Sequence, residues 1–220
     1  MIHRGVELLT ASFGPAGAGP TTLAAVVERA ASRNQPAGFE IQSEQEGTRV
    51  HLWGGLPFSW CGHLTLHCHA AQVNILEIDA RHLAHGRWIA SLLLEAGSSE
   101  SQIGSRNFLA MARHRPALVP VQPRLELESL DLAVGDGEND SVARLRLRAR
   151  DRMGLLASLF HAIQASGLRP RELWIRTRDG WAEDWIVLES LAGTAPAVPA
   201  LEALGRWLDP RGEGGGLRRE

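Results

Sequence analysis

The chain contains no lysine and no tyrosine; its 23 basic residues are all arginine. Without lysine there is no Schiff-base amine, no P-loop lysine and no Ser-Lys dyad. Without tyrosine there is no phenolic acid or base. Arginine is favoured over lysine in GC-rich coding sequence, so the bias is first a property of the genome and only second one of chemistry. Cysteine is scarce, at two residues. With no signal-peptide pattern, that fits a reducing compartment, and the expected location is cytoplasmic. Long apolar runs are missing too. The longest, Trp88-Ile89-Ala90-Ser91-Leu92-Leu93-Leu94, is strand-length, far short of the ~20 residues of a membrane span. Net charge is only −2, so no overall field draws nucleic acid or an anionic membrane, and neither is an expected partner.

What is present is an ordinary apolar fraction of 44% in 220 residues. That is enough for one moderate core or two small ones, at about 100–200 residues per domain. Residues 1–38 read as an N-terminal segment: a Gly/Pro/Ala stretch from Gly14 to Pro20, then a short helix from Leu23 to Ala31 with Thr21 or Thr22 as cap. From there the chain reads as two blocks.

The second block is the clearer. Leu125 and Leu127 alternate with Arg124, Glu126 and Glu128 as a half-buried strand. Gly135 to Asp140 is turn-rich. Ala143, Leu145 and Leu147 alternate with Arg144, Arg146, Arg148 and Arg150 as a second strand. Leu155, Leu156, Leu159, Phe160 and Ile163 recur at helical spacing, and Gly167 ends that helix. Leu168 to Thr177 and Trp181 to Glu189 form two strands around the hairpin signal Arg178-Asp179-Gly180. Pro196 to Leu208 closes the block as a helix. The first block repeats this order: strands at Phe39–Ile41 and Val50–Leu52, a helix carrying Trp60, Leu64, Cys68 and Ala71, strands Val73–Arg81 and Arg87–Glu95, and a helix from Ser99 to Arg113.

A shift of 95 residues aligns the blocks. It places Leu145 on Val50, Leu159 on Leu64, Glu172 on Glu77 and Arg176 on Arg81, and after a one-residue difference in the hairpin Leu188 falls on Leu94. Each unit therefore reads ββαββα, a tandem duplication. The expected fold class is α+β, with antiparallel four-stranded sheets and helices on one face. A ferredoxin-like unit runs βαββαβ, yet no strand is expected after the last helix. The opening strand of each unit would fill the same sheet edge, a circular permutation. The domain expectation is 1–38 as N-terminal segment, 39–115 as first unit, 116–122 as linker, 123–209 as second unit and 210–220 as flexible tail.

The run Asp151-Arg152-Met153-Gly154-Leu155-Leu156, with Arg176-Thr177, Gly180 and Ala182-Glu183-Asp184-Trp185 further on, resembles ACT domains. It is most similar to the C-terminal ACT pair of bacterial PII uridylyltransferase/uridylyl-removing enzymes. That family carries Asp-Arg-Pro-Gly-Leu-Leu, then Ile-x-Thr and Ala-x-Asp-x-Phe; here Met153 replaces the proline and Trp185 the phenylalanine. Pro123-Arg124-Leu125 resembles the family's Pro-Arg-Val lead-in. The resemblance covers about residues 39–208. The first unit departs from the pattern, with Leu56 in place of Asp and Ser59 in place of Gly. The resemblance implies two tandem ferredoxin-like ACT units that bind an amino acid, glutamine by analogy, in a regulatory role tied to nitrogen metabolism. The family's nucleotidyltransferase and phosphohydrolase signatures are missing, so no enzymatic activity is expected. The alternative is a ligand-free ACT-fold module for dimerisation or protein interaction.

The loop chemistry can be read without the family. A strand that passes directly into a helix leaves free N–H groups at the helix start, where the dipole favours a carboxylate. Gly154 admits close backbone approach, and Asp151 either caps the helix or accepts an ammonium group. Asp151, Arg152, Met153, Gly154, Leu155 and Leu156 are the expected ligand-binding residues. No cofactor is expected. His63 and His67 share a helix face at a metal-compatible i, i+4 spacing, but no third ligand is evident, so the expectation is no metal. No catalytic residues are expected either, since no nucleophile–base–orienter set can be assembled. The arginine stripe faces Glu126 and Glu128 across the sheet and shares its face with Trp174, Trp181 and Trp185. That face is expected to pack against another ACT unit, within the chain or in a homodimer.

Overall fold

Period-2 alternation and Gly-centred turns build the strands, and the 3.6-residue stripes build the helices that cover them. The computed structural model describes residues 24, 26, 30, 36–83, 86–95, 105–117, 125–134, 142–209 and the backbone of 217–219. The expected N-terminal linker and helix cap, most of the 116–122 linker, the Gly135–Asp140 turn and the start of the Ser99–Arg113 helix lie outside those residues.

The first unit runs β1 (Gly38–Glu44), β2 (Gly47–Gly55), α1 (Trp60–Ala70), β3 (Ile75–Leu83), β4 (Arg87–Glu95) and α2 (Phe108–Arg113). The second runs β5 (Leu127–Val134), β6 (Ala143–Arg150), α3 (Leu155–Ala165), β7 (Leu168–Arg178), β8 (Trp181–Ser190) and α4 (Val198–Leu208), followed by β9 (Leu217–Arg219). The fold is α+β. All strands join one sheet in the order β1-β2-β4-β3-β7-β8-β6-β5-β9, antiparallel throughout except for β9. Within each unit the opening strand lies beside the strand that feeds the first helix. That is the arrangement a permuted ferredoxin-like unit requires.

Three local expectations are corrected. A strand does follow the last helix: β9 pairs parallel with β5, Leu132 opposite Leu217, so the stretch read as a flexible tail adds a strand at the sheet edge. The opening strand of the second unit runs to Val134, with a register shift between Leu127 and Ser129. A bulge flips side-chain parity, so Leu130 and Leu132 are the buried residues, while Leu125 and Leu127 only flank the core. Finally, helix α2 starts only at Phe108. Asn107 Oδ1 accepts from Ala110 N at 2.9 Å and caps it, and Ser105 to Asn107 are not helical.

The units meet edge to edge through β3 and β7, with Asp79 opposite Trp174. These two residues are equivalent under the 95-residue shift, so a pseudo-twofold passes between them. Its consequence is reciprocal pairing. Arg81 reaches Glu172 at 3.1 Å, and Arg176 reaches Glu77 at 3.4 Å and Asp79 at 2.9 Å. On the other sheet face Ile78, Ala80, Leu173 and Ile175 join a core shared by both units and all four helices. Helices α1 and α3 pack there, and a Cβ on Gly62 would sit only 3.4 Å from Phe160.

The helix-free faces differ. In the first unit Trp53 and Ile89 are buried with Val26 of an N-terminal helical stretch. In the second, arginines lie on the tryptophans: Arg146 is 3.6 Å from the centre of Trp185, Arg150 4.1 Å from Trp181 and Arg176 4.8 Å from Trp174. Arg148 also bonds Glu128 at 2.9 Å. The unit's own guanidiniums thus cover part of the faces of these rings. Among the described residues no helix is long and apolar enough to cross a membrane.

Candidate functional site

The path from β6 into α3 opens a cleft at the junction of the two units. One wall is Asp151, Arg152, Met153, Gly154, Leu155, Leu156 and Ala157; the other is Thr65, Cys68, His69, Val73, Asn74 and Ile75. All six residues singled out in the sequence line it. The first unit's contribution, Asn74 and His69 above all, was not foreseen, because nothing in a linear pattern shows which segment the β6–α3 loop will face.

Backbone geometry fixes the loop. Asp151 N donates to Gly180 O at 2.9 Å, tying it to the β7–β8 hairpin. Gly154 occupies the cap position at φ +91°, which L residues rarely adopt. A Cβ there would also meet the His69 ring at 3.2 Å. With glycine as the cap, no side chain bonds to the first turn of α3. Leu155 N donates to Arg152 O at 2.9 Å, so the N–H groups that follow it in the first turn are the ones with capacity to bind an anion.

Across the cleft, Asn74 Nδ2 donates to Asp151 Oδ2 at 3.2 Å. Asn74 Oδ1 accepts from Ile75 N at 3.0 Å, which holds the amide in place. Asp151 is partly buried, and its other oxygen can accept from a further donor. His69 Nδ1 is buried against the cleft and has no hydrogen-bond partner. Arg152 turns outward to Glu126 on the surface. The enclosed space is about 20 Å³, room for roughly one water. An amino acid is larger than that space, so its binding requires side chains of the lining to move.

Beneath α3 lies a group that loop reading missed. Asp184 of β8 is fully buried, and neither carboxylate oxygen has a partner. Burial first, and the Asp151 charge second, push its pKa up to about 8. A signal existed in the sequence, since Asp184 breaks the inward series Ala182, Ile186, Leu188.

The pseudo-equivalent position in the first unit is closed. Leu56 stands for Asp151, Phe58 for Met153 and Ser59 for Gly154. Ser59 has φ −81°, and the loop needs no left-handed residue. Asn74 is matched by Arg169, whose guanidinium lies 3.7 Å from the Phe58 ring and bonds Glu189 at 2.7 Å. Phe58 also contacts His82, which stacks toward Trp88.

The metal candidates do other work. His63 Nδ1 lies 3.3 Å from Ala112 O, and His67 Nε2 lies 3.0 Å from His114 O, so both rings clasp the end of α2. Burial lowers the His63 pKa. Among the described residues no group of three or more His, Cys, Asp or Glu side chains is placed to hold a metal. Cys61 and Cys68 are free and core-facing, and burial pushes the Cys68 thiol up to about 12.

No protein-family model matches the chain, and no curated protein matches it. The resemblance to uridylyltransferases thus has no support beyond the motifs themselves. Among solved structures, the crystal structure of aspartate kinase from Synechocystis aligns at a TM-score of 0.42 with 14% identity, covering 76% of this chain and 28% of that one.

Proposed function

We propose that this chain is a regulatory module whose paired ACT-like units bind a free α-amino acid, without catalytic activity of its own. One observation carries the reading. A single cleft, shared by both units, combines an uncapped helix N-terminus with a carboxylate held by an amide. The first attracts a carboxylate and the second an ammonium group, and an α-amino acid presents both at one carbon. Because the walls come from different units, a bound ligand would favour one packing of the units over another, provided its affinity differs between the two. Glutamine, a role in nitrogen regulation and a cytoplasmic setting follow from the motif resemblance.

A thermal-shift and calorimetric screen of the twenty amino acids tests the reading. At least one should bind, and Asp151→Asn should weaken it tenfold or more. No heat with any of them at millimolar concentration would sink it. The first unit's closed cleft favours a second reading, in which the fold serves as an interaction or homodimerisation module and binds nothing. A concentration-independent dimer by light scattering, with melting unmoved by any amino acid, would select that one.

A further inference from the structure

The helix-free sheet face of the second unit is a grid of arginines and tryptophans. Cross-strand pairing sets Arg178, Trp181 and Arg150 in one row, Arg176, Glu183 and Arg148 in the next, and Trp174, Trp185 and Arg146 in a third. The middle row is neutralised. Arg148 pairs with Glu128 at 2.9 Å and with Glu183 at 3.5 Å, and Arg176 pairs with Glu77 and Asp79. Arg146, Arg150 and Arg178 are exposed and make no ion pair among the described residues. The scaffold does not ask for arginine at these positions. Their equivalents in the first unit are His51, Gly55 and Leu83; His51 is buried, and Leu83 packs on the cluster of Val26, Trp53 and Ile89. The net charge of −2 for the whole chain is therefore not the charge of this face.

Unpaired cations on an open face attract anions, and the tryptophans between them favour planar groups. Arg146 lies 3.6 Å from the centre of Trp185, and Arg150 lies 4.1 Å from that of Trp181. Each stack is a planar cation on an indole. A nucleobase can stack on either plane, while the guanidinium edge keeps N–H groups for a phosphate. Along β6, Arg146 and Arg150 are separated by ~13 Å at about 3.3 Å per residue, so one extended strand can reach both. The side chains of an acidic peptide would meet the charges but bring no ring to the tryptophans, and a duplex keeps its bases inside the stack. We propose that this face binds single-stranded nucleic acid, with phosphates on Arg146, Arg150 and Arg178 and bases on the stacks at Trp181 and Trp185.

Charge and stacking leave different signatures. Each phosphate contact releases counterions and so steepens the salt dependence of binding, whereas stacking on a ring adds affinity without changing that slope. Every base has a flat face, so the site tolerates many sequences. The cleft at the start of α3 lies on the opposite side of the sheet, so binding here does not depend on its occupancy.

The test is fluorescence anisotropy of the full chain with labelled oligothymidylate and oligouridylate of about twelve nucleotides, with a duplex of the same length and poly-glutamate as competitors. Both single strands should bind. Raising salt from about 50 mM to about 200 mM should weaken them about twentyfold, as three phosphate contacts require. The duplex and poly-glutamate should compete about tenfold more weakly or worse. Arg146→Gln and Arg150→Gln should each weaken binding about fivefold and flatten the salt slope by about 0.7. Trp181→Leu should weaken binding about fivefold or more with the slope kept, and Trp181→Phe should recover most of the loss. Arg113→Gln, in the last turn of α2 on the other side of the sheet, should change nothing. No single-strand binding at about 100 µM protein in low salt overturns the proposal. So does affinity unchanged in both arginine variants. Competition by poly-glutamate as strong as by the single strands also overturns it and marks the face as one for acidic peptides.

Discussion

The molecule carries one loop-to-helix junction twice, and the two copies differ in what they can hold. In the second unit, Gly154 in a left-handed conformation, Asp151 and an uncapped helix start leave a polar cleft. In the first, Ser59 in ordinary backbone, Leu56 and the Phe58–Arg169–Glu189 stack fill the same space from within. Both copies adopt the same order of strands and helices, so the shared scaffold needs neither the glycine nor the acids. What the open copy has in excess is polar capacity that stability alone would not retain. That contrast points to binding more strongly than any single residue does.

The comparison can be broken experimentally, beginning with the buried acid. Ala90 is the first unit's equivalent of Asp184, and Ala90→Asp should destabilise that unit by on the order of 5 kcal/mol in urea denaturation at pH 8, because it installs an unpaired buried charge. The natural Asp184 already bears such a cost. Its pKa is raised in the folded state to about 8, against ~3.9 unfolded. The folded chain therefore holds a proton that the unfolded chain releases, and the contribution of Asp184 to stability falls from about pH 4 upward until about pH 8. Asp184→Ala should flatten that slope and raise the melting temperature most at high pH. A slope unchanged in the variant would show that Asp184 is solvated.

The junction offers the next test. Arg176 serves Asp79 and Glu77, while its equivalent Arg81 pairs with Glu172. Asp79 is buried, and burial raises its pKa while Arg176 opposes the rise. Arg176→Ala should cost about 3 kcal/mol by leaving that carboxyl unpaired. Arg81→Ala should cost less, about 1–2 kcal/mol, since Glu172 is 23% exposed against 11% for Asp79. Equal losses in the two variants would contradict the structural asymmetry.

The caps should give the smallest effects. Gly154→Ala should cost about 1–2 kcal/mol, combining left-handed strain with the tight approach to His69. Ser59→Gly should change stability by less than about 1 kcal/mol in thermal melts, because its φ already suits any residue.

Much of this fold could be read along the chain. The paired alternations, the helical stripes and the 95-residue repeat located every strand of the two units except β5, which was placed too early in the chain, because those patterns follow from local geometry and from which face is buried. Where reading failed, the cause was non-local. A bulge after Leu127 reversed the parity of β5, and the edge pairing of Leu217–Arg219 depends on a strand more than 80 residues earlier. Arg146 and Arg150 lie on Trp185 and Trp181, cross-strand contacts that no linear pattern shows. Of the cleft, the loop wall was legible, since a strand passing through an acid and a glycine into a helical stripe marks a helix start. The facing wall was not.

The sequence by itself determined the repeat, the inward and outward faces, the lysine-free chemistry and the Asp151–Leu156 loop that leads into a helix. Those depend on side-chain type and on spacing within one element. The tertiary structure decided that β3 meets β7, and with that, everything that depends on position across the junction: Asn74 against Asp151, Arg169 against Phe58, and Asp184 enclosed beneath α3. Such placements come from the pseudo-twofold packing of two units. That packing brings together residues nearly 80 positions and more apart, and the properties of a buried carboxyl depend on that enclosure and not on its place in the chain.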